Sequence, residues 1–253
     1  MTKTILITGA TDGIGLLTAK TLAEQGHRVL LHGRSSGKLA AAAEDVGGDP
    51  ITFQADLSDL DATGRFAQAV LDRGETIDVL INNAGIFKMD QPVLPNGQDA
   101  RFVVNTLAPY ALTVALLPLM PADGRVINLS SAAQAPVDLA ALKGTRRLGA
   151  MDAYAQSKRA IALWSAALAQ AHRQGPVFIA VNPGSLLASK MVKEGFGVAG
   201  NDLGIGADIL CRLATSPDFA TASGRYWDND MGGFAELDLA QAETVVTTLD
   251  AMV

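Results

Sequence analysis

Tyr154 and Lys158 stand four positions apart in Tyr154-Ala155-Gln156-Ser157-Lys158, a stretch with helical character. Positions i and i+4 share a helical face, so this spacing places an ammonium beside a phenol. A free tyrosine titrates near ~10, too high for acid–base work at neutral pH, and a neighbouring positive charge is expected to lower that value. A phenol tuned in this way can give a proton to a carbonyl or take one from an alcohol. Tyr and Lys at this spacing also occur on many plain helix surfaces, so a second group is needed. Val126-Ile127-Asn128-Leu129-Ser130-Ser131 supplies it: a hydroxyl at the carboxyl end of a strand can hydrogen-bond a substrate oxygen and stabilise its developing charge. From the residues alone, Ser130 and Ser131 both qualify.

A third element binds rather than reacts. Thr8-Gly9-Ala10-Thr11-Asp12-Gly13-Ile14-Gly15 lies between an apolar, strand-like run and a helix-like one. Glycines allow a tight turn and close approach of a pyrophosphate, and the helix N-terminus offers free N–H groups and the positive end of its dipole. The spacing is GxxxGxG, distinct from the GxGxxG dinucleotide fingerprint.

With these residues in place the chain resembles the short-chain dehydrogenase/reductase family, whose TGxxxGIG pattern Thr8–Gly15 matches. Asn82-Asn83-Ala84-Gly85 is similar to that family's NNAG element, Asp56-Leu57 to its adenine-contacting pair, and Pro183-Gly184 to its nicotinamide-side turn. The resemblance implies that Ser131, rather than Ser130, is the serine of the reacting centre. It also gives Asn105 a fourth catalytic position, holding a water that relays protons by way of Lys158. Asn83 is expected to support the fold near the cofactor. The family often has a threonine at the cofactor amide; Ser189 is the nearest equivalent, and Ala188 offers no hydroxyl. Ser131 and Tyr154 are 23 positions apart, longer than in many members and similar to the retinol-dehydrogenase-like and carbonyl-reductase-like branches.

The nucleotide's identity is argued from charge. An acid about 20 residues beyond the glycines would bind the ribose 2′-OH of NAD and repel a 2′-phosphate. Here the chain reads His32-Gly33-Arg34-Ser35-Ser36-Gly37-Lys38, with no acid between Glu24 and Glu44. Arg34 and Ser35 suit a phosphate. NADP(H) is expected over NAD(H), with Asp12 inside the glycine turn as a counter-signal.

These groups need a scaffold that puts strand ends and helix starts together. Ile5–Thr8, Arg28–His32, Ile51–Gln54, Val79–Asn82, Arg125–Leu129 and Val177–Asn182 read as strands, alternating with helical lengths at 14–25, 36–46, 60–74, 97–118 and 152–173. Apolar strands joined by helices indicate a parallel, doubly wound α/β sheet of the Rossmann type, about seven strands with ligands at their carboxyl ends. The 253 residues are read as one domain, with a cofactor half to about 130 and a catalytic and substrate half beyond it. Residues 132–153 and 185–204 are long connections at the ligand end. The second, apolar and glycine-flanked, is expected to act as a lid over a largely apolar substrate.

Composition narrows the partners. The net charge of −6, without a basic block, argues against nucleic acid and anionic membranes. Phe102 to Ala122 is uncharged and long enough to span a bilayer, yet its prolines mark it as a buried or interface helix ending near Pro118. Cys211 is the only cysteine, expected to be a small buried residue, and His27, His32 and His172 lack ligand spacing, so no metal is expected. Lys143, Arg146 and Arg147 read as a solvated face, and Trp164, Tyr226 and Trp227 as packing anchors. The start of the chain leaves no room for a signal peptide, which with the cysteine usage points to the cytoplasm. A small carbonyl or alcohol substrate is implied, with homodimer and homotetramer both open. The alternatives are an NADP-binding regulator without activity and a sugar-nucleotide epimerase or dehydratase.

Overall fold

The computed structural model describes residues 1–188 and 199–253. Eight strands form one sheet: β1 (Thr4–Ile7), β2 (Arg28–Gly33), β3 (Ile51–Gln54), β4 (Val79–Asn82), β5 (Arg125–Leu129), β6 (Val177–Asn182), β7 (Arg225–Asp228) and β8 (Gly233–Ala235). Their order is β3-β2-β1-β4-β5-β6-β7-β8, parallel throughout except for the antiparallel β7–β8 pair. The sequence predicts about seven; the eighth is the three-residue β8, too short to show any alternation. Strand order reverses between β1 and β4, the place where such sheets open a ligand crevice.

Period-two alternation sends successive side chains of the inner strands to opposite faces, both buried, which is why these strands are mostly apolar. Ile5 and Ile7 face one core, while Leu6 faces the other. On the Ile5 side lie α1 (Gly13–Glu24), α2 (Ser36–Val46) and α8 (Leu203–Thr215). On the Leu6 side lie α3 (Leu60–Leu71), α5 (Ala108–Leu116), α7 (Ala150–Ala171) and α9 (Ala242–Asp250). Asp12, Ser35, Asp59 and Asp202 cap α1, α2, α3 and α8, their side chains accepting from N–H groups of the first helical turn.

The apolar stretch after β4 is a continuous helix from Ala100 to Leu119 whose most apolar window is about two-thirds buried, in line with a core helix. It is not uniform. A short α4 (Ala100–Phe102) passes into a π-helical turn, Val103–Leu107, before α5 begins. Residues 132–149 are stitched to the body rather than left as a bare connection. Val137, together with Ala141 and Leu142 of α6 (Leu139–Leu142), is buried in the core. The Gln241 side chain accepts from Val137 N at 2.9 Å and donates to Val137 O at 2.9 Å. Arg146 pairs with Asp138 at 2.6 Å, and Arg147 donates to Gly97 O.

Candidate active site

β5 ends at Leu129, and the two serines after it point to different places. Ser130 is buried, its Oγ donating to Lys158 O at 2.6 Å, so its hydroxyl is held against the α7 backbone. Ser131 instead faces Tyr154, whose phenol it acts to lower, and its Oγ accepts from Ala133 N at 3.1 Å. The structure therefore brings together Ser131 and Tyr154, and removes Ser130 from the pair. Ser131 is fixed from behind: its carbonyl accepts from Tyr226 OH at 3.0 Å and from Gln134 Nε2 at 3.0 Å. Tyr226, expected only as a packing anchor, thus reaches the site from β7. Trp164 fits the packing role, fully buried edge-on to Tyr110.

Tyr154 and Lys158 emerge from the same face of α7. The Lys158 ammonium lies 5.8 Å from the Tyr154 ring centre and donates to Leu129 O at 2.7 Å. Burial pushes the Lys158 ammonium down to about 8. Burial also raises the Tyr154 phenol, against the lowering effect of Ser131. The expected lowering of Tyr154 by Lys158 is absent from the protein alone: desolvation of the phenolate is the larger effect, and what opposes it comes from Ser131. Phe87 packs its ring 5.0 Å from that of Tyr154 and gives the site an apolar wall.

Asn105 is fully buried within the π-helical turn. Its Oδ1 accepts from Ile86 N at 2.8 Å, and its Nδ2 donates to Ile86 O and to Ser157 Oγ, each at 3.0 Å. A π turn takes up one extra residue within a helix and re-aims the side chains within it, and such turns are frequent at functional sites. Gly85 marks where these groups converge. A Cβ added there would lie 3.3 Å from Lys158 Nζ and 3.4 Å from Asn105 Oδ1.

The glycine turn sits across the crevice. Gly9 has φ +65°, and a Cβ on it would meet Ala84 Cα at 2.9 Å. Gly15 is more tightly held, because a Cβ there would fall closer than 3.0 Å to both Asn83 Nδ2 and Gly9 O. Asn83 Nδ2 donates to Thr8 O at 2.8 Å and Gly9 O at 3.0 Å, and Ala84 N donates to Thr8 Oγ1 at 3.1 Å. Asn83 and Ala84 thereby weld the end of β4 to the turn. Asp12 caps α1 through Gly13 N at 2.8 Å, leaving the N–H groups of Ile14 and Gly15 without intrahelical partners. That is a cradle for a pyrophosphate, and the glycines leave the room it needs.

At the outer edge, Arg34 and Ser35 come directly after β2 and are exposed. Ser35 caps α2, and Lys38 lies 3.5 Å from Asp12, which offsets the acid expected to oppose a 2′-phosphate. Thr11 packs where a Cβ on Gly33 would meet its Cγ2 at 2.5 Å. Asp56 forms a local turn with Ser58, and Leu57 is buried. On the other side of the crevice, Pro183 O accepts from Asn229 Nδ2 at 3.1 Å and Gly184 N donates to Asn182 Oδ1 at 3.3 Å. Asp230 braces the same turn, accepting from Ser185 N and from Asn182 Nδ2, each at 2.9 Å. Ser189 and half of the expected lid, residues 189–198, lie outside the described residues. Among the described residues no cluster of His, Cys, Asp and Glu could hold a metal ion. Cys211 is buried on α8, its Sγ 3.9 Å from Thr18 O.

A family model described as short chain dehydrogenase matches residues 3–196. Human retinol dehydrogenase 13 is 32% identical over 251 residues, covering 89% of this chain and 76% of that protein. A Streptomyces sp. (strain C5) protein named as daunorubicin C-13 ketoreductase DnrU is 32% identical over 242 residues, covering 90% of this chain and 83% of its own. Among solved structures, landomycin C-6 ketoreductase LanV with bound NADP and rabelomycin superposes with a TM-score of 0.68. It is 28% identical and covers 90% of this chain and 94% of that one.

Proposed function

Because this chain belongs to the short-chain dehydrogenase/reductase family, we propose that it is an NADP(H)-dependent oxidoreductase interconverting a ketone or aldehyde with the corresponding alcohol. The observation that carries the reading is the meeting of Ser131 and Tyr154 at the carboxyl end of β5, with the buried Lys158 ammonium beside them. Ser131 holds the substrate oxygen, and Tyr154 delivers the proton to it in reduction and removes it in oxidation. Lys158, anchored on Leu129 O, keeps positive charge next to the phenol. Asn105 fixes the Ile86 backbone and the Ser157 hydroxyl behind the pair.

Residues of the glycine turn fit NADP(H): Gly9 and Gly15 leave no space for a side chain, and Ile14 and Gly15 offer N–H groups to the pyrophosphate. Arg34, with Ser35 beside it, meets the 2′-phosphate, and the NADP held by LanV supports this choice of nucleotide. Asp56 and Leu57 take the adenine, and Pro183 and Gly184 border the nicotinamide. When bound, NADP(H) supplies or accepts the hydride. The relatives are named for retinol and for a daunorubicin ketone, and the Phe87 wall supports a largely apolar substrate here.

The test is a fluorescence titration with NADPH and NADH, followed by a panel of aldehydes, ketones and quinones. Tyr154→Phe should cut turnover by roughly 10²–10⁴-fold, the usual worth of a positioned acid–base group, while leaving NADPH affinity nearly intact. Near-normal turnover in that variant, or no affinity of the wild type for either nucleotide, would sink the proposal.

A further inference from the structure

His32 is the last residue but one of β2, is buried, and takes no part in the chemistry of Ser131, Tyr154 and Lys158. Two successive N–H groups of the glycine turn are directed at it. Ala10 N donates to His32 O at 2.9 Å, and Gly9 N donates to the ring Nδ1 at 3.3 Å. The other ring nitrogen, Nε2, lies 3.1 Å from Ala55 O. A carbonyl only accepts, so Nε2 carries the proton and Nδ1 keeps its lone pair for Gly9. Phe66 of α3 stacks on the ring, with centroids 4.7 Å apart and planes 22° from parallel.

The bridge joins two places that the sheet cannot join. Gly9 lies just past β1 and Ala55 just past β3, and β2 stands between those strands, so no ladder hydrogen bond connects their ends. Gly9 opens the pyrophosphate turn, and Ala55 immediately precedes the Asp56-Leu57 pair on the adenine side. We propose that His32 is a positioning residue that locks the pyrophosphate turn to the adenine-side strand end and thereby sets nucleotide affinity. This deepens the NADP(H) reading and rests on it. Because adenine and pyrophosphate are common to both nucleotides, His32 governs NADPH and NADH alike and leaves discrimination between them to Arg34. Burial holds the ring neutral, with its acceptor intact, against the Ala55 hydrogen bond and, among the charged groups of the described residues, Asp56, both of which favour the imidazolium.

Two variants separate hydrogen bonding from packing. His32→Phe keeps a ring against Phe66 and removes both nitrogens, whereas His32→Gln retains one acceptor and one donor. Titrated by nicotinamide fluorescence, His32→Phe should weaken NADPH and NADH by the same factor, about tenfold, and His32→Gln should recover most of it. In steady-state assays the loss should fall on KM for the nucleotide rather than on kcat. Wild-type affinity in His32→Phe, a loss that His32→Gln fails to recover, or a changed NADPH:NADH ratio overturns the proposal. Should His32→Phe yield no folded protein, the wild type labelled with ¹⁵N at its three histidines decides. His32 must then show a ring protonated on Nε2 whose Nδ1 signal moves on adding NADPH; a ring protonated on Nδ1, or an unmoved signal, overturns it. Wild type that binds neither nucleotide removes the NADP(H) reading and this one with it. Wild type that binds, beside an indifferent His32→Phe, removes only the role of His32.

Discussion

Replacing Gly15 by alanine adds one methyl group at the point where the glycine turn, the start of α1 and Asn83 meet. Elsewhere in a helix the exchange helps, by about 1 kcal/mol of propensity. At Gly15 the new Cβ lands closer than 3.0 Å to both Asn83 Nδ2 and Gly9 O, two atoms already hydrogen-bonded to each other at 3.0 Å. Relief requires Asn83 to swing away, giving up its bonds to Thr8 O and Gly9 O at about 1 kcal/mol each. Strain from overpacking adds about 1–3 kcal/mol. Set against the propensity gain, Gly15→Ala should destabilise the fold by roughly 3 kcal/mol. The internal control is Gly64, on α3, where a Cβ would meet nothing within 4 Å. Gly64→Ala should stabilise by about 0.5–1 kcal/mol. Urea unfolding of both variants beside the wild type reads the two signs directly, and NADPH titration should show weakened binding only for Gly15→Ala. A Gly15→Ala protein within about 1 kcal/mol of wild type, binding NADPH normally, would refute the reasoning.

The two serines after β5 should separate cleanly. Ser131→Ala should lower kcat by about 10²–10³-fold with NADPH affinity kept, as loss of a group holding the reacting oxygen does. Ser130→Ala should remove the second hydrogen bond that Lys158 O accepts, beside its helical one, and cost about 0.5–1.5 kcal/mol of stability, read by urea unfolding; equal kinetic defects in both would reject the assignment. Arg34→Ala should cut the preference for NADPH over NADH by tenfold or more, about the worth of a charge-assisted hydrogen bond, and an unchanged ratio of kcat/KM values would exclude that role. His32, held down to about 4, makes stability sensitive to acid. As pH falls from 6.5 towards about 4, the unfolded chain takes up a proton that the folded ring refuses, so stability drops by about 3 kcal/mol at the low end of that window. Asp138 and Asp230, also depressed, add their own losses as pH falls further. Urea unfolding at pH 7 and pH 4.5 should show a smaller difference in His32→Gln than in wild type; equal differences would count against the argument.

Strands are readable in the sequence because a buried parallel strand needs apolar side chains on both faces. Val79–Asn82, Arg125–Leu129 and Val177–Asn182 stand where expected, β1 is shifted by one residue at both ends, and β2 is one residue longer. The stretch around Cys211 looks helical in the sequence, but the start of α8 is obscured by Gly204 and Gly206. One of them explains itself in the structure: a Cβ on Gly206 would meet Leu187 Cδ1 at 2.6 Å, so close packing overrode propensity. α9 escapes notice for a different reason: it is short and lies beyond the strand–helix alternation that makes the rest legible. At the site, side-chain types and spacing point to Tyr154 and Lys158, but the choice between Ser130 and Ser131 rests on resemblance until the directions of the two hydroxyls are known. His32 and Tyr226 are invisible as site neighbours. Their partners are main-chain atoms of Gly9, Ala55 and Ser131, distant in sequence and carrying no side-chain signature.

The π-helical turn at Val103–Leu107 governs how this helix tolerates change. One surplus residue works as a phase shift between α4 and α5: each half keeps its own heading, and the offset is absorbed around Asn105. Because five π-helical residues turn through about the same angle as four α-helical ones at about 100° each, excising one residue from the turn would leave the two halves in their present relative rotation. Asn105 would turn away from Ile86 while the buried face of α5 stayed on α3. A single deletion here would therefore be felt at the site more than in the fold, and it would leave a more regular helix.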